Sequence, residues 1–206
     1  MAGDQDNGTQ KFTTAGINAT NEVTGGDGAF CHIDQDNPNI QISSYVFNNY
    51  YVSTNGGTSF NIDGSFNDNG SFINPTDYDD AQNILYGGNT VGTYFRWNDP
   101  VAGGNTASEV SVSAFSGRSV THVSVSPLSP NRVYFGLNNG AIVRVDDAHT
   151  GTAKSGTVIK PASGSISVSS IAIDNANEDH MLVTYTNYGI TRIYESYNAN
   201  QAWPTW

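Results

Sequence analysis

A short unit recurs four times in this chain, and its period limits the fold more than any other feature. Each copy opens on an apolar residue and an Asp, Asn or Ser, then continues through a polar turn that often holds Pro. The copies are Ile33-Asp34-Gln35-Asp36-Asn37-Pro38-Asn39-Ile40, Ile73-Asn74-Pro75-Thr76-Asp77, Val125-Ser126-Pro127-Leu128-Ser129-Pro130 and Ile173-Asp174-Asn175-Ala176-Asn177. With Asp34, Asn74, Ser126 and Asp174 set equivalent, they lie 40, 52 and 48 residues apart. The runs Asn138-Asn139-Gly140-Ala141-Ile142-Val143-Arg144 and Asn187-Tyr188-Gly189-Ile190-Thr191-Arg192-Ile193 superpose on their glycines, with a one-residue slip at the Arg. A period of this size marks a supersecondary unit that buries its apolar faces only against its neighbours.

The segments between the turns read as strands. Ile40–Phe47, Glu109–Phe115, Val120–Val125 and Ile166–Ile173 largely alternate apolar and small polar residues and are rich in β-branched types. Turn chemistry separates them: Gly25-Gly26-Asp27-Gly28, Asn55-Gly56-Gly57, Asn69-Gly70, Gly87-Gly88, Asn138-Asn139-Gly140 and Ser163-Gly164. The one helix candidate, Asp77–Leu85, is short and lacks an apolar stripe. The fold class is therefore all-β, and the spacing suits four-stranded blades of a β-propeller. Approximate repeat units are 25–72, 73–124, 125–172 and 173–206 of a single propeller-type domain, about four blades. That is a partial propeller or one half of a dimeric ring, so a homo-oligomer or a longer chain is expected.

Charge removes several function classes. Eight Lys+Arg stand against 19 Asp+Glu, a formal net charge of -11, which opposes sequence-independent hold on nucleic acid and on anionic membrane surfaces. No run approaches the roughly 18 apolar residues of a membrane-spanning helix. Cys31 is the only cysteine and sits in the apolar stretch Ala29–Ile33, where a buried structural thiol is expected. The first residues, Met1–Asp6, show neither the basic nor the apolar part of a signal peptide. The acidic, Asn- and Thr-rich, Lys-poor composition nonetheless reads as a bacterial protein of the cell exterior or cell surface.

Ser53-Thr54-Asn55-Gly56-Gly57-Thr58-Ser59-Phe60 resembles the Asp-box, or BNR repeat, in which Ser/Thr, Asp/Asn, Gly, Ser/Thr and Trp/Phe follow at alternate or adjacent positions. Ser196-Tyr197-Asn198-Ala199-Asn200-Gln201-Ala202-Trp203 is a decayed copy, with Asn200 in place of Gly and Ala202 in place of the hydroxyl residue. The resemblance is to propellers of the sortilin, sialidase and xyloglucanase type in a secreted bacterial version. It implies a structural turn on a blade's outer edge, built from Ser53, Asn55, Gly57, Ser59 and Phe60, and again from Ser196, Asn198 and Trp203. There the amide bonds turn N–H groups and the aromatic ring packs between strands. The opening Gly3–Thr9, with Thr24–Gly28, resembles secreted propellers in which a Gln-Asp-Asn-Gly turn ends an inner strand.

Candidate chemistry follows from that placement. Inner-strand ends face a propeller's channel, so Asp4, Asp6 and Asp27 are the carboxylates a glycoside hydrolase or lyase would use, and Gln5, Asn7 and Asp27 the groups that would bind a ligand. Turn residues that bond their own backbone are the plainer reading. Resemblance to sialidases would require an Arg cluster; Arg96, Arg144 and Arg192 fall at equivalent repeat positions, which favours structural roles. His32, His122, His149 and His180 are scattered, so His/Cys metal ligation is not expected. Calcium is the ion the acidic turns could take, at Asp34 and Asp36; otherwise no cofactor is expected. Phe30, Tyr45, Tyr50, Tyr51, Tyr94 and Trp97 could form a sugar platform or pack between blades. The reading is a non-catalytic extracellular module that binds glycan or protein through a propeller face. The alternatives are a hydrolase using the channel carboxylates and a self-assembling surface or filament subunit.

Overall fold

The computed structural model describes residues 1–102 and 106–206. In chain order the strands are β1 (Ala2–Asp4), β2 (Gly8–Lys11), β3 (Asn21–Thr24), β4 (Cys31–Ile33), β5 (Gln41–Ser44), β6 (Asn48–Ser53), β7 (Ile62–Asn67), β8 (Thr76–Asp79), β9 (Ile84–Gly88) and β10 (Thr93–Asn98). They continue with β11 (Ala107–Val112), β12 (Val120–Val125), β13 (Val133–Leu137), β14 (Ile142–Val145), β15 (Ala153–Lys154), β16 (Thr157–Lys160), β17 (Val168–Asp174), β18 (Asn177–Tyr185) and β19 (Ile193–Ser196). Two single 3₁₀ turns complete the described elements. Residues 77–85, the helix candidate, form the ends of β8 and β9 and the turn between them.

Five sheets result, with strand orders β1-β2-β3, β4-β5-β6-β7, β8-β9-β10-β11-β15, β12-β13-β14-β16 and β17-β18-β19. Each sheet is built from strands consecutive in the chain; the exception is β15, which leaves the β14–β16 connection to pair parallel with β11. This is a partial β-propeller. By internal packing the chain forms two compact units, Met1–Asn74, Tyr78–Leu85 and Trp97–Ala107 in one, Pro75–Asp77, Tyr86–Arg96 and Ser108–Trp206 in the other.

In the first unit the core is aromatic. Tyr50 and Trp97 are fully buried, and the Phe66 ring meets Trp97 edge-on at 4.8 Å. Gly64 pairs with Tyr50 across β6–β7, and a Cβ there would come within 2.4 Å of the Trp97 ring, so the indole uses the space a side chain would fill. In the second unit β13 is buried along its whole length, as its run Val-Tyr-Phe-Gly-Leu requires of a strand covered on both faces. On β18 the pattern alternates: Met181, Val183 and Tyr185 enter a core with Tyr134, Ile142, Ile159, Ile166, Val168, Ile171 and Ala199. Tyr50, Tyr94 and Trp97 are thus packing residues, and no sugar platform can include them.

The repeat has a physical basis. In four of the five sheets, a residue at or just after the end of the first strand turns the chain with its own side chain. Asp34 Oδ1 accepts from the N–H of Asp36 and Asn37 at 2.9 and 2.7 Å, Asp79 Oδ1 from Gln82, Ser126 Oγ from Ser129, and Asp174 Oδ1 from Ala176. The equivalent residue in the third sheet is therefore Asp79 and not Asn74, which precedes β8. The spacings become 45, 47 and 48 residues. A backbone bond also recurs, from the turn after the third strand back to the second strand's entry: Gly56 to Asn39, Asp99 to Asn83, Ala148 to Asn131 and Ala199 to Asp179, all 2.8–3.0 Å.

Candidate functional site

The β1–β2 turn brings together the residues the sequence nominates. Asp6 and Gly8 both take left-handed conformations (φ 64° and 66°), which closes the turn, and the Asn7 N–H donates to the Asp4 carbonyl. Asn7 Nδ2 donates to Asp4 Oδ2 and to the Gln5 carbonyl, each at 3.1 Å, and Asp27 Oδ1 accepts the Asp6 N–H at 2.9 Å. Asp4, Asp6, Asp27, Gln5 and Asn7 are hence one cluster, with Asp4 and Asp27 serving its backbone and amide groups. Asp34 is buried: Oδ1 holds its turn and Oδ2 accepts from the Tyr78 hydroxyl, while Asp36 is exposed. No group of three His, Cys, Asp or Glu suited to a metal occurs among the described residues. Burial pulls His32 down to about 4, so at neutral pH it is an uncharged ring beside Tyr78. Cys31 is only half-covered rather than buried; burial pushes its thiol up, against the opposing pull of the chain's amino terminus and the Gly3 backbone.

Ser53 and Asn55 close the β6–β7 turn with side chains. Ser53 Oγ accepts the Gly57 N–H at 2.9 Å and donates to Asn55 Oδ1, which accepts the Ser59 N–H at 3.0 Å; Gly57 supplies the left-handed φ of 72°. Phe60 is half-buried. After β19 the same opening recurs, Ser196 Oγ bonding Asn198 Oδ1 and N–H. There the N–H reaching the amide oxygen belongs to Thr205, at 2.9 Å, so the ring that follows the hydroxyl residue is Trp206. Trp203 is 88% exposed, whereas Trp206 donates its indole N–H to the Ile159 carbonyl and lies 5.9 Å from Lys160 Nζ, which also sits over Tyr194. A three-residue lengthening of the loop displaces the aromatic from the position expected of it.

Two polar clusters in the second unit carry no signal in linear sequence. Glu178, only 12% exposed, accepts from Ser126 Oγ, from Ser129 Oγ at 2.7 Å and from Arg132 Nη1 at 2.7 Å, and Arg132 also pairs with Asp146. Burial pushes the Glu178 carboxyl up, but the two serine bonds and the Arg132 charge outweigh it and hold the group below the usual range. Across β17, β18 and β19, His180 lies between Asp174 Oδ2 (3.1 Å) and Glu195 Oε1 (2.9 Å), its ring stacked on Tyr197 at 4.4 Å. Bonds to Glu195 and Asp174 raise the His180 pKa.

The arginines divide by use. Arg96 Nη1 reaches the Ala148 and Gly151 carbonyls, and Arg144 Nη1 reaches Asn200 Oδ1 and, at 3.5 Å, its carbonyl. Both stand three residues before a left-handed Asp, Asp99 and Asp147. Arg192 does not share that position, which Glu195 occupies ahead of Asn198; it lies over the Tyr188 ring at 4.7 Å. The exposed Arg118 guanidinium has no hydrogen bond or ion pair among the described residues. It lines a cleft of about 460 Å³ with Asn138, Asn139, Ala162, Gly164 and Ser165.

No protein-family model matches the chain, and no curated protein matches it. Solved structures do share the fold. YCF48 from Cyanidioschyzon merolae is similar at a TM-score of 0.58 and 12% identity, over 81% of this chain and 53% of that one. The Cps50 (Swd1) β-propeller domain of Myceliophteria thermophila is similar at 0.61 and 13% identity, over 82% of this chain and 52% of its own. The C-terminal WD40 domain of Sif2 is similar at 0.59 and 9% identity, over 83% and 45%. The chain thus spans about half the length of these solved propellers, and the likeness is one of fold alone.

Proposed function

We propose that the chain is a non-catalytic propeller module that binds a glycan or a protein outside the bacterial cell through the loops at the ends of its sheets. The observation that carries this reading is the use of the nominated carboxylates: Asp27 and Asp4 are bonded to groups of the β1–β2 turn, and Asp34 holds its own turn. A hydrolase needs one carboxyl kept as acid and another free to act on water or sugar, and these groups instead do the work of turn residues. The Ser53/Asn55 hydrogen bonds support a propeller of the Asp-box type, since an Asp-box needs the amide oxygen on turn N–H groups. The acidic, Lys-poor composition supports the extracellular setting.

The test pairs a binding screen with a turnover assay. The purified chain is presented to a glycan array and to extracellular protein extracts, and polysaccharide hydrolysis is followed by release of reducing ends. Saturable binding without turnover is expected. Turnover lost in D4N/D6N/D27N would overturn the reading in favour of a glycoside hydrolase. Light scattering near twice the 22.0 kDa chain mass would add a second copy as partner.

A further inference from the structure

The geometry points to the Arg118 cleft as a binding site for the carboxylate of a sugar acid, an inference that rests on the binding-module reading and gives it a location and a ligand class. Three loops far apart in sequence form the cleft: the segment before β12, the β13–β14 turn and the β16–β17 connection. Backbone bonds fix all three. Arg118 N–H donates to the Phe115 carbonyl, the Gly92 N–H to the Arg118 carbonyl, the Asn138 N–H to Ser119 and the Ser163 N–H to Asn139, each at 3.0 Å. The guanidinium therefore hangs from a held backbone, while its own five donors find no acceptor among the described residues.

Charge makes this placement informative. In a chain of net charge -11, the cleft is lined by one cation and no carboxylate. Arg96, Arg132 and Arg144 bond carbonyls and carboxylates of the chain itself, and Arg192 lies over an aromatic face. A planar fork with no internal acceptor matches a carboxylate in two parallel bonds. The remaining lining suits the rest of a sugar: Asn138, Asn139 and Ser165 both donate and accept, as vicinal hydroxyls require. The cleft's volume falls in the range of small-ligand sites, about 300–1,000 Å³. A ring for stacking stands on the adjoining turn. Asn187 Nδ2 ties that turn to the Ser165 carbonyl at 3.0 Å, and Tyr188 beside it is 87% exposed, with Arg192 over one face and the other open to a ligand. An acidic peptide would use the guanidinium but brings no vicinal hydroxyls for Asn138, Asn139 and Ser165 to match.

The experiment is calorimetric titration of the full chain with trigalacturonate and with its methyl ester, which keeps the rings and removes the charge. Binding of the acid is expected, with the ester at least about tenfold weaker; R118Q should lose about tenfold or more for the acid with its thermal unfolding unchanged. R118K, which keeps the charge but not the fork, should fall between them. Equal binding by R118Q, or tighter binding of triglutamate than of trigalacturonate, overturns the assignment. If trigalacturonate does not bind while the array or the extract yields another ligand, this site falls and the binding module stands. If nothing binds in any format, both fall.

Discussion

Replacing Glu178 with Ala isolates what a single carboxylate contributes where the β12–β13 turn meets β18. The side chain accepts hydrogen bonds from Ser126, Ser129 and Arg132, and its removal leaves two hydroxyls and one face of a guanidinium without their acceptor. Breaking a buried charged pair costs about 3–5 kcal/mol. Arg132 is 23% exposed and keeps Asp146, which places the loss near the lower bound, about 3 kcal/mol. For a chain of this length that lowers the melting temperature by about 6–12 °C. Circular dichroism melts at pH 7 read the difference directly. The pH dependence gives an independent check. The folded Glu178 carboxyl is held below its ordinary value, so its contribution is present above the unfolded pKa near 4.5 and is lost as pH falls through the lower folded one. The gap between the native chain and E178Q should therefore close in acid. An E178A chain within about 0.5 kcal/mol of the native one at pH 7 would mean that the three bonds have no net value over water.

Three further substitutions test other parts of the account. Gly64→Ala should destabilise by about 1–3 kcal/mol in urea unfolding, since the new methyl meets the Trp97 ring; Trp97 fluorescence reports the displaced indole. Asn55→Ala should cost about 1 kcal/mol and loosen the β6–β7 turn in hydrogen exchange, because the Ser59 N–H loses its acceptor. His180→Gln should remove a pH-dependent share of stability. The folded histidine titrates above its free value, so its contribution is full below about pH 6.5 and is lost as pH rises through the raised one. Melts from about pH 5 to pH 8 should show the native chain declining relative to H180Q.

The strands and their turns are legible in sequence because period-two patterning and Gly/Asn turns are local properties. The register of the second repeat is misread because Ile73-Asn74-Pro75 imitates the apolar-Asx-turn signal, while the residue that holds the turn, Asp79, lies at the end of β8 where no Pro follows. Trp203 stands at the spacing expected from the resemblance, whereas Trp206 follows the hydroxyl residue whose N–H bonds Asn198, because three extra residues lengthen the loop. The sites are hidden for a different reason. Arg118, Asn138 and Ser165, or Asp174, His180 and Glu195, meet only after strands pair, and no linear spacing encodes that meeting.

The forward reach of the third-strand arginines has a consequence for how the chain is made. Arg96 finds its acceptor 52 residues later and Arg144 finds its acceptor 56 residues later. At the ribosome each guanidinium emerges well before the carbonyl that will receive it. The buried Arg96 cannot be sealed in until most of the next repeat has been synthesised. The order of translation is thus written into the lattice of bonds, and the repeats that carry Arg96 and Arg144 are each completed by the one that follows.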